Sequence, residues 1–333
     1  MIKKMILKGI LISISISVFG QFENYQSFEQ LDSLSQVYFR ANKIDSAIFT
    51  IEHALENYPE HDKKATFILG FLYVRNGDDL KALNNWYYGQ KKGYFYGLNN
   101  GMFKQHFVDS EDFKIIADTD RLIGEKLDSL TRIEYEIVRP TDYLENKKYP
   151  LIFVFHGNGR NIEKAKQTWT SETMTNDFIT VYLQSYIHTS PYDFKWNLGD
   201  NKTTNELKQI YNEVIKLQSI DSNKIIFAGM SAGGMIALDY GFKNILSCTD
   251  FILNCPVVPD IEDDLINGFV DSKNKIVIIT GEKDFALDKQ KDLIEKIIRK
   301  EGNAEIEIIS DMGHQFSDDF SSLLDKHINK LMQ

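Results

Sequence analysis

The stretch from Lys224 to Gly234 reads Lys-Ile-Ile-Phe-Ala-Gly-Met-Ser-Ala-Gly-Gly, and this order of residue types leaves few folds open. Ile225, Ile226, Phe227 and Ala228 form an apolar run too short for a helix and rich in β-formers, so a strand buried on both faces is expected. The run stops at Gly229. Ser231 to Tyr240 suits a helix carrying Ile236, Leu238 and Tyr240, which places Ser231 where a strand turns sharply into a helix. Such a turn strains the backbone of the serine and crowds its neighbours. The positions two before and two after it must therefore be almost free of side chain, as Gly229 and Gly233 are. The Gly-x-Ser-x-Gly spacing alone is common; set between strand and helix it makes Ser231 a candidate nucleophile, the alternative being an ordinary glycine-rich turn.

From about residue 130 onward strands alternate with helices, the signature of an α/β fold with a mostly parallel sheet covered on both faces. Ile133 to Val138 alternates like an edge strand, and Leu151 to Phe155, Phe178 to Leu183, Phe251 to Asn254, Lys275 to Thr280 and Glu305 to Ile309 supply the others. Thr203-Thr204-Asn205-Glu206 reads as a capping box opening a helix. Functional groups in such sheets gather beyond the carboxyl ends of the strands. His156-Gly157-Asn158-Gly159, Gly281-Glu282-Lys283-Asp284 and Ser310-Asp311-Met312-Gly313-His314 each follow a predicted strand there.

The order Ser231, Asp284, His314, each just past its own strand, is that of the α/β-hydrolases. From about Thr131 to Gln333 the chain resembles that superfamily, in particular the small serine carboxylesterases related to the phospholipase/carboxylesterase and feruloyl or polyhydroxyalkanoate esterase groups. The resemblance implies hydrolysis of a carboxylic ester, small or polymer-linked, through an acyl-enzyme. His314 would take the proton of Ser231 and return it to the leaving alcohol, and Asp284 would fix the imidazole tautomer. Backbone N–H groups of Ala232 and of Asn158 or Gly159 would receive the oxyanion. Asp260, past the preceding strand, is a rival for the acid, whereas His156 reads as a bracket for its loop. Two other functions stay open: a serine peptidase of the prolyl-oligopeptidase type, and an inert interaction protein. The connection from Gln184 to Lys202, with Tyr186, Tyr192, Phe194 and Trp196, forms one wall of the cleft or simply packs.

The amino-terminal part differs. Lys3, Lys4 and Lys8 precede an apolar stretch to Phe19, so residues 1–20 resemble a secretory signal peptide, implying a secreted or periplasmic protein. From Ser27 to Asn100 the apolar spacing is helical and repeats after 35 residues, Leu34, Tyr38, Ala47, Ile51 and Ala54 recurring as Leu69, Tyr73, Ala82, Trp86 and Gly89. Leu69-Gly70-x-x-Tyr73 is similar to the tetratricopeptide pattern, with Leu31 and Thr66 in place of its usual tryptophan. Such surfaces often bind proteins, so a partner is a possible consequence, an inert docking platform the plain alternative. The expected division is residues 21–125, helical, and 126–333, hydrolase-like, with Phe103 to Leu130 capping the repeats. A formal charge of −10 argues against nucleic-acid binding, and no other segment has membrane length. The histidines lack metal-ligand spacings and serine catalysis needs no cofactor, so neither metal nor cofactor is implied. Cys248 and Cys255 flank an extended segment that would hold them too far apart to bridge, so free thiols are expected, a disulfide being the alternative if Cys248 curls back.

Overall fold

A computed structural model describes residues 22, 24–217 and 219–333; the predicted signal segment, 1–20, lies outside them. The chain divides into two compact units, one ending at Gly124 and the other beginning at Glu125. The division falls inside the helix Glu111–Leu130.

The first unit is all helical. Helices Phe28–Arg40 and Ile44–Asn57 form one pair, Asp62–Asn76 and Asp79–Lys91 a second. The repeated small residues mark close approach: a Cβ on Gly70 would lie 2.1 Å from Trp86 Nε1, and one on Gly89 would lie 1.5 Å from the Tyr96 hydroxyl. Trp86 is buried and meets Phe103, Phe107 and Phe113 edge to face. The segment after the second pair thus closes the open side of its core, which two pairs alone would leave wet.

The second unit is built on a seven-stranded sheet. Its strands are β1 (Glu134–Val138), β2 (Tyr149–Phe155), β3 (Ile179–Gln184), β6 (Ile220–Met230), β7 (Asp250–Asn254), β8 (Lys275–Gly281) and β9 (Asn303–Ile309), with a small hairpin of β4 (Ile187–His188) and β5 (Phe194–Lys195) between β3 and β6. Their order is β1-β3-β2-β6-β7-β8-β9, with β1 antiparallel to β3 and every other neighbour parallel. The mostly parallel sheet and each of its predicted strands are present. The apolar runs are continuous because both faces are covered. Phe153, Phe155, Phe227 and Leu253 point into a core shared with helices Asn201–Leu217, Ala232–Phe242 and Leu287–Arg299. Val154, Ala228, Ile252 and Ile279 point into another, shared with Phe320–Leu331.

β6 starts at Ile220, ahead of the predicted Ile225, and one helix start is displaced as well. The helix predicted to open on a Thr203 capping box begins at Asn201, because Asp200 is the cap: its carboxylate accepts from the Thr203 N–H at 2.8 Å. Glu206 instead accepts from the Ile133 N–H. Both cysteines are free, as the extended segment between them predicts. No helix among the described residues is long and apolar enough to cross a membrane.

The crowding in the helical unit gives a direct test. Gly70→Ala must displace the enclosed Trp86 indole and is expected to cost about 1–3 kcal/mol in denaturant unfolding. Gly268→Ala, in the helix Asp263–Asp271 with open space at its Cβ, is expected to stabilise by about 0.5–1 kcal/mol.

Candidate active site

β6 ends at Met230, and Ser231 follows with φ 54° and ψ −121°, in a region that side-chain-bearing residues avoid. Three main-chain bonds hold it there: its N–H donates to Asn254 O at 3.2 Å, and its carbonyl accepts from Met235 and Val257 at 3.0 and 3.1 Å. The glycines on either side are explained by backbone, not by side chains. A Cβ on Gly229 would lie 2.7 Å from Gly233 C, and one on Gly233 would lie 2.2 Å from Phe155 O and 2.4 Å from His156 O. The helix carrying Ser231 therefore packs directly on the end of β2, and the loop leaving β2 comes alongside the serine. A Cβ on Gly157 would be 3.7 Å from Ser231 Cβ.

That loop is tied down by residues far along the chain. His156 is buried; its Nε2 accepts the Ser185 N–H at 3.1 Å, which makes Nδ1 the protonated nitrogen, donating to Gly157 O at 2.7 Å. Burial pushes its pKa down to about 4, so the ring stays neutral. Trp196 donates Nε1–H to His156 O and its backbone N–H to Asn158 Oδ1. The Gln184–Lys202 connection thus packs as a cradle for the loop: Trp196 and Phe194 are buried under it, and only Tyr192 of its four aromatics is exposed.

The two expected donors of this loop differ in whether they are already engaged. The Gly159 N–H, one of the two expected alternatives, donates to Phe194 O at 2.9 Å and is spent. The Asn158 and Ala232 N–H groups have no hydrogen-bond partner among the described residues.

The remaining groups arrive from β8 and β9. A Cβ on Gly281 would lie 2.1 Å from Met312 O, so the loops leaving these two strands cross in contact. They are pinned by Glu282 N–H to Ile309 O and Lys283 N–H to Met312 O, at 2.9 and 2.8 Å. Across that crossing His314 Nδ1 meets Asp284 Oδ2 at 2.8 Å, while Asp284 Oδ1 accepts the Ala286 N–H at 2.7 Å. The Asp284 carboxylate is fully enclosed and can only accept, so Nδ1 carries the proton and Nε2 is left as a base. Nε2 is itself buried and lacks a partner among the described residues. Asp260, the rival acid, is exposed. Asp311 pairs with Lys283 at the surface.

Three features were not singled out beforehand as parts of the site. Asn254 donates Nδ2–H to Gln315 O and so braces the loop that carries His314. Cys255, next in sequence, turns at φ 44° and points its sulfur toward the same loop, 3.4 Å from Gln315 O. Cys255, Asp284 and His314 have donor atoms within 4.8 Å of one another, a set able in principle to hold a metal. Here Asp284 and His314 are already bonded to each other, and burial, helped by the neighbouring carboxylate, pushes the Cys255 thiol up to about 12. The third is Phe285, whose ring stands against that of His314. Histidines without foreseen roles have structural partners: His188 with Asp128, His106 with Asp79, His327 with Glu307.

Residues 191–329 match the dienelactone hydrolase family. No curated protein matches the chain. Among solved structures, an uncharacterized protein from Bacillus cereus aligns at TM-score 0.52 and 19% identity, covering 92% of this chain and 99% of that one. Esterase PE8 aligns at TM-score 0.48 and 15% identity, over 60% of this chain and 100% of its own. Thermogutta terrifontis esterase 2 does so at 0.46 and 14%, over 60% and 87%. The first of these likenesses bears on the fold alone. The family match lies on the unit that holds Ser231, Asp284 and His314, and supports a hydrolase.

His156 carries a pH test. An unfolded histidine takes a proton near pH 6.5, but the folded one resists until about 4, so folding is fully favoured above 6.5 and loses stability as pH falls between those values. The loss reaches about 3 kcal/mol at the lower end. His156→Gln accepts and donates without titrating; its unfolding free energy is expected to be lower than wild type at pH 8 but to fall less steeply from pH 6.5 to 4.

Proposed function

We propose that the second unit is a serine hydrolase of carboxylic esters, working through an acyl-enzyme on Ser231. The observation that carries this reading is the His314–Asp284 bond at 2.8 Å with the opposite imidazole nitrogen buried and unpartnered. His156, with both nitrogens engaged, offers no base. His327 shares the His314 pattern with Glu307 on the helix Phe320–Leu331; His314 differs in its place, because Asn254 accepts the Ser231 N–H and donates Nδ2–H to Gln315 O, next to His314. In the reaction His314 Nε2 removes the Ser231 proton as Oγ attacks the carbonyl carbon. The tetrahedral oxyanion is received by the N–H groups of Ala232 and Asn158. Collapse breaks the ester C–O bond, and the same proton passes from His314 to the leaving alkoxide. Water then repeats the sequence on the acyl-serine. Asp284 holds the tautomer and stabilises the imidazolium. The match to a family named for hydrolysing a lactone, a cyclic ester, supports the ester over the amide.

The helical unit is read as a tetratricopeptide-like pair that docks a protein, and residues 1–20 as a secretion signal directing the protein outside the cytoplasm.

Ser231→Ala is expected to abolish both turnover of nitrophenyl acyl esters and labelling by a fluorophosphonate while the circular dichroism spectrum is kept. Undiminished labelling of that variant removes the serine from the mechanism, and faster cleavage of aminoacyl nitroanilides than of esters by wild type replaces esterase with peptidase. Of the two acids, Asp284→Asn is expected to lower kcat by about 10⁴, because an amide there favours the wrong tautomer. Asp260→Asn is expected to stay within about tenfold, or about 1.4 kcal/mol in the barrier. Both are measured on one ester at one near-neutral pH.

A further inference from the structure

Phe285 directly follows Asp284 and is 75% exposed, the most exposed aromatic side chain in the second unit among the described residues. Its ring centroid lies 4.5 Å from that of His314, the planes inclined by 36°. The backbone that carries the ring is fixed on both sides: Asp284 N–H bonds to Gly281 O, Ala286 N–H to Asp284 Oδ1, and Leu287 N–H to Asp284 O. A large apolar ring is thus held in water beside an imidazole that it leaves 23% exposed, where packing of the core does not require it.

Resting on the ester-hydrolase reading above, we infer that Phe285 is a specificity-determining residue that binds the alcohol half of the substrate and selects esters of aromatic or flat apolar alcohols. The direction follows from the proton path. When the C–O bond breaks, the alkoxide oxygen receives its proton from His314 Nε2, so it must come within hydrogen-bond reach of that nitrogen. The carbon substituent of the alcohol is then within a few bond lengths of the imidazole, on which Phe285 stands. The acyl half is held at Ser231 and the donors of Ala232 and Asn158, which belong to other loops. Phe285 therefore reads the leaving group and not the acyl group. A phenyl ring offers an alcohol-side aromatic an offset or edge-on partner and offers a methyl group little contact area.

The test compares kcat/KM, which reports acylation, for benzyl acetate, methyl acetate and methyl phenylacetate. In Phe285→Ala the benzyl-to-methyl acetate ratio is expected to fall about tenfold, and in Phe285→Tyr to be kept, while the ratio of methyl phenylacetate to methyl acetate does not move. A benzyl-to-methyl ratio unchanged in Phe285→Ala overturns the inference. So does an equal loss on both acetates accompanied by a displaced acidic limb of the pH–rate profile, which makes Phe285 a positioning residue for His314. A wild-type protein that cleaves none of the three esters and takes no fluorophosphonate label overturns the underlying hydrolase reading instead.

Discussion

Main chain rests on main chain where the helix Ala232–Phe242 meets the end of β2, and the candidate chemistry is built on that contact. The carbonyl oxygens of Phe155 and His156 occupy the space that any side chain at position 233 would need. Because of this approach, the loop after β2 is delivered to the side of Ser231, and the candidate donors of Ala232 and Asn158 are main-chain groups, the second on a loop held by the buried His156 and Trp196 side chains. Donors fixed in this way need no reorganisation when charge develops, the condition under which such groups contribute most to lowering a barrier. The crossing of the β8 and β9 loops at Gly281 does the same for Asp284 and His314.

His156 and His314 show how environment separates two identical side chains on adjacent loops. His156 is closed on both nitrogens and held neutral by burial; it stitches its loop to Ser185. His314 is closed on one nitrogen by a carboxylate and open on the other. The first arrangement leaves no ring nitrogen for chemistry and the second leaves one. His327 is left with one as well, so it is the tie of the His314 loop to the Ser231 turn through Asn254 that singles out His314 as the candidate base.

The sheet and the positions of Ser231, Asp284 and His314 were legible because they depend on local patterns: apolar runs of strand length, glycines at fixed offsets, and polar residues just past each strand. What was not legible depends on pairing across long sequence distances. The Gly159 N–H is occupied by Phe194, and Asn158 is bound by Trp196, 38 residues on; no spacing rule reports such bonds. The aromatic content of the Gln184–Lys202 connection was the available signal, and it fits packing equally well. The Thr203 capping box failed because Asp200, three residues earlier, already accepts the Thr203 N–H that Glu206 would have taken, and Glu206 turns to Ile133.

Cys255 gives the molecule a chemical character that its composition hides. The sulfur of a cysteine reacts as the thiolate, and a thiol held at about 12 is ionised in only about one molecule in 10⁵ at pH 7. This one lies within 4.8 Å of the candidate base, yet is enclosed and locked in the protonated form. Alkylation of this thiol is therefore expected to be slow at neutral pH. A thiol in that form is a poor target for oxidation, so the chain keeps a cysteine beneath its candidate site with no disulfide to protect it.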